Sequence, residues 1–330
     1  MKFIACGGLR IDFLITAERE VRLRQIGGNS IYSALGARVW IDEVALLAKA
    51  GENYPEEWLA ELASRGLTTE GLVRVPGWQE MRTFYAYVDA RTRVDRDPAS
   101  HFARVGHPLP PELEGYVNST LGQQDLSGAN PMTLLAADIP AFAAQSDAAH
   151  IAPMGPYSQC DLAQGFKRLG VPQITVDPGE FRPTPENIAL VRGLCAAADA
   201  FLPSELEVAL LFEQPDLHAA AEALASWGPA LILIKRGPQG CLLYERDAHR
   251  FTAIPAYPAR IVDVTGAGDS FCGGFAVGLR QSADPVRAAL MGSVSASFAI
   301  EGYGALYALG ASRHAANERL QRLGRTVRQL

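Results

Sequence analysis

From about residue 133 the chain settles into a regular alternation of helical and apolar patterns, and no other feature constrains its fold as tightly. Helical periodicity covers Thr133 to Ala144, Tyr157 to Leu169, Pro185 to Ala197, Ser204 to Phe212 and Asp216 to Trp227. Short apolar runs fall between them at His150 to Met154, Gln173 to Val176, Ala200 to Leu202 and Ala230 to Ile234. Short strands separated by whole helices do not pair as hairpins. They imply right-handed βαβ crossovers into a mostly parallel sheet with helices on both faces, a doubly wound α/β fold. Ligands of such sheets gather at the carboxyl ends of the strands.

The flanking sequence extends this pattern. Phe3 to Cys6 reads as a buried strand ending at Gly7-Gly8, and Gly27-Gly28-Asn29 opens a helix with Ile31, Leu35 and Val39 on one stripe. Val44 to Ala50 and Leu72 to Val75 read as strands, with a helix from Pro55 to Ser64 between them. Cys241 to Glu245 and Arg250 to Ile254 form a hairpin-like pair, and Pro285 to Ala299 is a helix rich in Ala and Ser. Two stretches fall outside the pattern. Phe13 to Gln25 alternates unevenly and is dense in charge, and Arg82 to Val88 is rich in β formers. Together they predict a small β lid with strands within 11–27 and 81–105. Asp89 to Pro111, with Arg91, Arg93, Arg96, His101, Arg104 and His107, reads as a solvated loop; a basic contribution to substrate binding is the alternative. Without an internal repeat or low-complexity linker, residues 1–330 are expected to form a single domain.

Composition removes several classes of function. At 330 residues the chain is long enough for a substantial core; 48% hydrophobic and 20% charged residues fit a soluble globular protein. A net charge of −6 with scattered Lys and Arg supplies no basic field for nucleic acid. Cys6, Cys160, Cys195, Cys241 and Cys272 are odd in number and widely spaced, as expected of reduced, buried thiols in a cytoplasmic protein. No apolar run is long enough to span a membrane, and the opening residues read as a first strand, not a secretion signal.

The stretch with the most chemistry in it is Ile261 to Leu279. Its first residues alternate like the end of a strand, Thr265 to Gly268 is a turn with almost no side-chain bulk, and the remainder is helical. A turn that opens a helix leaves the amides of Gly266, Ala267 and Gly268 pointing outward at the positive end of the helix dipole, a cradle for phosphate or a developing oxyanion. Asp269 sits at its mouth. A carboxylate there repels the anion that the amides attract, which is economical if it accepts the proton of a hydroxyl being phosphorylated. Ordinary helix capping is the alternative. The helix N-terminus is expected to lower the basicity of Asp269, and a loose transition state tolerates so weak a base. A Walker A loop is excluded by the absence of any Gly-Lys dipeptide, and a dinucleotide fingerprint by Phe271 in place of a third glycine.

Asp-Val-Thr-Gly-Ala-Gly-Asp-Ser-Phe at 263–271, followed by Gly-Gly-Phe, resembles the C-terminal signature of the ribokinase-like (PfkB) carbohydrate kinases. The resemblance runs in order along nearly the whole chain and implies an ATP-dependent kinase acting on a hydroxyl of a sugar or related polyol. It makes Gly266, Ala267 and Gly268 the anion hole and Asp269 the catalytic base. Asp12, after the Gly-Gly strand end, together with Gly28 and Asn29, would bind the acceptor. Asp177-Pro178 stands where the family carries an Asp-Pro-Asn-x-Arg-like stretch, with Gly179 for the Asn and Arg182, a substrate-binding candidate, one residue late. Ser204 to Glu207 is similar to an Asn-x-x-Glu motif, with Ser204 for the Asn and Glu207 holding Mg²⁺ through water. Lys235, Gly237 and Gly240 match the family's nucleotide loop; Thr265 joins them as a nucleotide contact. Small residues between Pro285 and Ala299 suit either adenine or tight helix packing. Asp263 flanks a place where relatives bind a monovalent cation, so K⁺ is a candidate cofactor beside ATP and Mg²⁺. A nucleoside or inositol acceptor, or a catalytically silent ligand sensor on the same fold, are the alternatives. The lid edges suggest a homodimer.

Overall fold

The computed structural model describes residues 1–89, 92–118, 128–179, 184–212 and 216–329. In chain order the strands are β1 (Phe3–Cys6), β2 (Arg10–Ile15), β3 (Val21–Gly27), β4 (Val44–Gly51), β5 (Leu67–Thr68), β6 (Leu72–Val75), β7 (Arg82–Tyr87), β8 (Arg93–Val94), β9 (Ala148–Ile151), β10 (Ile174–Val176), β11 (Ala200–Phe201), β12 (Leu231–Lys235), β13 (Cys241–Glu245), β14 (Arg250–Ile254) and β15 (Arg328–Gln329). The α-helices are α1 (Asn29–Arg38), α2 (Glu56–Ser64), α3 (Pro98–Arg104), α4 (Pro156–Arg168), α5 (Pro185–Ala197), α6 (Glu205–Phe212), α7 (Leu217–Ser226), α8 (Ala267–Ser282), α9 (Pro285–Ala299) and α10 (Arg313–Gly324).

The main sheet runs β15-β14-β13-β12-β11-β10-β9-β1-β4-β5, with β6 also on β4. It is parallel from β12 through β4, and antiparallel only at the β12–β15 end. Its two-sided burial follows from the strand period. On β1, Phe3 and Ala5 join one apolar cluster while Ile4 and Cys6 join the other; on β12, Leu231 and Leu233 pack against the first and Ile232 and Ile234 belong to the second. Helices α1, α8, α9 and α10 cover the first face, and α4, α5 and α7 the second. Continuous apolar strands are therefore the expected signature of this sheet.

Helices α1 and α8 approach closely because neither carries a side chain at the contact. A Cβ on Gly273 would lie 1.9 Å from the Ser33 carbonyl oxygen, and one on Gly36 would lie 2.0 Å from that of Ser270. The small residues of α9 serve the same purpose. A Cβ on Gly274 would meet Ser295, and one on Gly278 would meet Ala288. Tight helix packing thus accounts for the Ala- and Ser-rich composition of α9.

A second, four-stranded sheet, β3-β2-β7-β8, stands apart from the main one. β2, β3 and β7 fall largely in the two stretches that break the main pattern, and β8 falls in the charged stretch after them. Three local expectations fail. Ile261 to Val264 is not the end of a strand: the Val262 and Asp263 N–H groups donate to the Ile300 carbonyl after α9 and pair with no strand. Thr133 to Ala144 is not an α-helix: it forms short 3₁₀ turns at Ala136–Asp138 and Ala141–Gln145. Pro140 lacks an N–H and pushes Ile139 into an extended conformation, which the apolar period alone does not register. Asp89 to Pro111 is not all loop, since it contains β8 and α3. Asp97 caps α3 by accepting from the Ser100 N–H, with Pro98 in the first turn, a start signal hidden among the charges.

Replacing Gly273 by Ala is expected to lower stability by about 1–3 kcal/mol or more, because the added methyl meets backbone, not a movable side chain. Urea unfolding of the variant checks this; an unchanged midpoint would rule out the close α1–α8 contact.

Candidate active site

The carboxyl ends of β1, β9 and β10 converge on a cleft of about 1040 Å³, closed on its other side by the small sheet; Lys235, at the end of β12, is not part of its wall. Gly7 and Gly8 leave β1 there, and Asn29 fixes the junction. Its side-chain oxygen accepts from the Gly8 N–H (2.7 Å), and its amide nitrogen donates to the Pro153 carbonyl (2.6 Å). The Ser30 hydroxyl donates to the Gly8 carbonyl (2.9 Å). Gly28, not Asn29, is the N-cap of α1; its φ of 112° and the Gly8 carbonyl, 2.2 Å from where a Cβ would stand, admit glycine alone. Asn29 lines the cleft, but its hydrogen-bonding atoms tie β1, α1 and the end of β9 together.

Across the cleft, Asp263 organises the turn before α8. One of its carboxylate oxygens accepts from both the Thr265 N–H (2.9 Å) and the Thr265 hydroxyl (2.7 Å). The Thr265 hydroxyl also pairs with the Tyr87 hydroxyl, which links β7 of the small sheet to the turn. Gly266, with φ of 71°, caps α8 against the Tyr32 ring. The expected row of three free amides becomes two. The Ala267 N–H closes the turn on the Val264 carbonyl (3.2 Å), and among the described residues Gly266 and Gly268 retain amides without a backbone partner.

Asp269 follows, half-buried and facing the cleft. The structure reverses the expectation that the helix N-terminus lowers its basicity. Burial pushes its pKa up to about 6, Lys235 and Arg93 pull it back, and Glu207 adds to the rise. Lys235 lies beneath the turn, with its Nζ 3.7 Å from the Cβ position of Gly268, and pairs with the buried Asp177 carboxylate. Burial alone would lower the Lys235 pKa, but Asp177, Cys272 and Glu207 outweigh it and hold the ammonium charged. Asp177 is pushed up to about 6, chiefly by burial, and its second oxygen, Oδ1, is buried without a hydrogen-bond partner.

Ser204 and Glu207 form a reciprocal capping box at the start of α6. The Ser204 N–H donates to Glu207 Oε2 (2.5 Å), and the Glu207 N–H donates to Ser204 Oγ (3.2 Å). Burial, then the nearby Asp177, raises Glu207 to about 7. Three carboxylates, Asp177, Glu207 and Asp269, thus share one ammonium, Lys235. At the far side, Asp12 on β2 is 3% exposed and is pushed up to about 7 by burial, against the pull of Arg10 and Arg93.

Other sequence candidates fare differently. Gly237 and Gly240 turn the chain between β12 and β13 and are not part of the cleft wall. The Thr265 hydroxyl is used inside the protein, as is the Asp263 oxygen that holds it. Arg182 lies outside the described residues. Conversely, the cleft wall includes Arg10, Tyr85, Arg93 and Trp78, which carry no motif. For Arg10 a signal exists: it stands two residues before Asp12, and residues two apart on a strand share a face. Arg93 stands in the charged stretch read as solvated loop, with its guanidinium 4.0 Å over the Tyr85 ring. Among the described residues no cluster of three or more His, Cys, Asp or Glu has the form of a metal site, and no helix is long and apolar enough to cross a membrane.

A doubly wound sheet with a helix-opening glycine turn and a carboxylate at one edge defines a ribokinase-like kinase fold, and the comparisons agree. The pattern of the pfkB family carbohydrate kinase matches residues 173–310. A nucleoside kinase of Methanothermobacter thermautotrophicus is 30% identical over 315 residues, 91% of this chain and 90% of the relative. A cytidine kinase of Thermococcus kodakarensis is 29% identical over 285 residues, 84% of this chain and 88% of the relative. Among solved structures, a putative ribokinase II in complex with ATP and Mg²⁺ from E. coli shares the fold at a TM-score of 0.72 and 18% identity, covering 97% of this chain and 99% of that one. The chain belongs to the pfkB family of carbohydrate kinases. It is a phosphotransferase with a hydroxyl group as acceptor.

Carboxylates whose folded pKa is raised contribute stability that is present below their ordinary values of 3.8 and 4.5 and is lost as pH rises to about 6 for Asp177 and about 7 for Glu207. Removing the charge in Lys235→Met is expected to cost about 3–5 kcal/mol and to raise both pKa values further. The loss relative to wild type should therefore be larger at about pH 8 than at about pH 5. Urea unfolding at the two pH values measures it; a loss that does not depend on pH would argue against a charge-sharing cluster.

Proposed function

We propose that the chain transfers the γ-phosphoryl group of ATP to a sugar hydroxyl of a nucleoside, with Asp269 as general base. The observation that carries this reading is the position of Asp269, half-buried and facing the cleft beside the free amides of Gly266 and Gly268, with the Lys235 ammonium below the turn. Asp269 accepts the hydroxyl proton as the oxygen–phosphorus bond forms and the bond to the departing ADP breaks. With a pKa of about 6 it is mostly ionised at neutral pH, yet closer to that pH than an ordinary aspartate, which suits a base. The Gly266 and Gly268 amides meet the charge on the transferring group, and Lys235 adds positive charge from beneath the turn. Positioning supplies most of the acceleration in a loose transition state.

Mg²⁺ fits the same corner. Asp177 Oδ1 is buried and unpartnered, Glu207 is an oxygen donor close by, and Mg²⁺ needs few protein carboxylates because it keeps several waters. Glu207, with Asp177, would hold it, and when bound it supplies positive charge against the nucleotide phosphates. The reciprocal Ser204–Glu207 bonds keep the Glu207 carboxylate in place, so Ser204 meets the structural need at that position.

A nucleoside acceptor is supported by two features. Two relatives that span most of the chain are a cytidine kinase and a nucleoside kinase. The cleft also continues past Asp12 to Trp78, and at about 1040 Å³ it is at the upper end of the size of a single-ligand pocket. Asp12 takes the sugar hydroxyls, Asn29 holds the loop beside it, and the small sheet acts as the lid.

Asp269→Asn should lower kcat by about 10²–10⁴-fold with nucleotide affinity retained. For the wild type, kcat/KM should fall about tenfold per unit below pH 6 and level off above it, since only the ionised carboxylate accepts a proton. ADP-release kinetics over a panel of nucleosides, free sugars and inositols test both the base and the acceptor class. Full turnover by the Asn variant would remove the base assignment, and turnover of free sugars alone would remove the nucleoside.

A further inference from the structure

Among the described residues, two arginines on the cleft face of the small sheet have no ion pair, Arg10 and Arg93, and the Arg93 guanidinium is stacked on the Tyr85 ring. Arg82 on the neighbouring strand is tied to Glu80 and to the Glu112 carbonyl. The hydrogen bond of the Arg10 side chain, among the described residues, goes to the carbonyl of Leu9 (3.0 Å). Its guanidinium lies over the open side of Gly8, in the space a side chain there would take. A Cβ built there would lie 3.2, 3.3 and 3.4 Å from Nη1, Cζ and Nη2, so the three atoms are almost equally distant. The plane is thus supported on one side, and the remaining N–H groups are free at its edge.

Arg10, Asp12 and Asp269 all line the cleft. The charged and titratable groups that act on Asp269 include Lys235, Arg93 and Glu207; those on Asp12 include Arg10, Arg93 and Asp263; those on Arg10 are Tyr85, Asp12, Tyr116 and Glu80. Arg10 and Asp12 are two residues apart on one strand face, a spacing of roughly 7 Å along the strand. A sugar held between Asp269 and Asp12 has Arg10, on the same strand face as Asp12, within reach of its substituent.

We infer that Arg10 is the specificity-determining residue for that substituent, donating two N–H groups to adjacent hydrogen-bond acceptors on the edge of a nucleobase. A planar fork of donors held in one orientation suits a pair of ring-edge acceptors. A full negative charge on the substituent is disfavoured, because Asp12 and Glu80 stand beside Arg10, whereas a neutral ring with electron-rich edge atoms meets no such repulsion. This inference rests on the nucleoside reading and gives it a reading residue.

The test uses wild type, Arg10→Lys and Arg10→Gln with cytidine, inosine and their analogues 3-deazacytidine and 7-deazainosine, in which a ring-edge nitrogen is replaced by C–H. Both variants should raise the KM for the preferred nucleoside by about 10- to 100-fold, the range of a lost bidentate contact, with kcat changing less and the KM for ATP unmoved. In the wild type the preferred nucleoside should be favoured over its deaza analogue by about tenfold or more, and in Arg10→Gln that preference should vanish. The wild-type comparison stands even if a variant folds poorly. The inference is overturned if the variants leave the nucleoside KM unchanged, if no deaza preference exists in the wild type, or if it survives in Arg10→Gln. Turnover of free sugars but of no nucleoside by the wild type would remove the proposed acceptor as well, which separates the two failures.

Discussion

A parallel sheet with both faces buried leaves only the ends of its strands open to solvent, and that constraint places everything else in this molecule. Because side chains on β1 and β12 alternate strictly between two apolar clusters, neither face has room for a ligand. Polar groups accumulate where the strands stop: Gly7-Gly8 after β1, Asp177 after β10, Ser204 after β11 and Lys235 at the end of β12. The glycine turn of α8 reaches the same edge because α8 packs against α1 at glycine contacts. The small sheet then closes the open side.

Concentrating these groups at one edge has an electrostatic consequence. Asp177, Glu207 and Asp269 share Lys235 in partly dry surroundings, so desolvation raises all three carboxylates while the ammonium stays charged. In isolation such a cluster is short of positive charge and destabilises the fold at neutral pH. A site that receives a polyphosphate together with a divalent cation has a use for that tension, because oxygen donors and a proton acceptor are in place before the ligands arrive. Asp263 shows the opposite arrangement: its carboxylate is also buried, but the Thr265 amide and hydroxyl satisfy it, and it serves the turn.

Much of this was legible in the chain itself. Strands and helices alternating after residue 145, the 241–254 hairpin and the turn and helix at 265–279 follow from periodicity and from glycine and proline placement, which are local properties. Ser204 also reads correctly as the start of a helical pattern. What failed locally failed for local reasons: Pro140 interrupts an otherwise helical apolar pattern, and Asp97-Pro98 starts a helix inside a run of charge. Asn29 was legible as a residue at a helix opening but not in its task, since its partners Gly8 and Pro153 come from separate strand ends.

The layers, the helix-opening glycine turn and the place of Asp269 behind it are local, because each depends on residues within a few positions of one another. Tertiary contacts bring the burial that pushes Asp269 up to about 6, close the turn through the Ala267 amide, and put Arg10 and Arg93 in the cleft wall. Burial and electrostatic neighbours are set by segments far apart in the chain, and a residue's desolvation has no signature in the residues beside it.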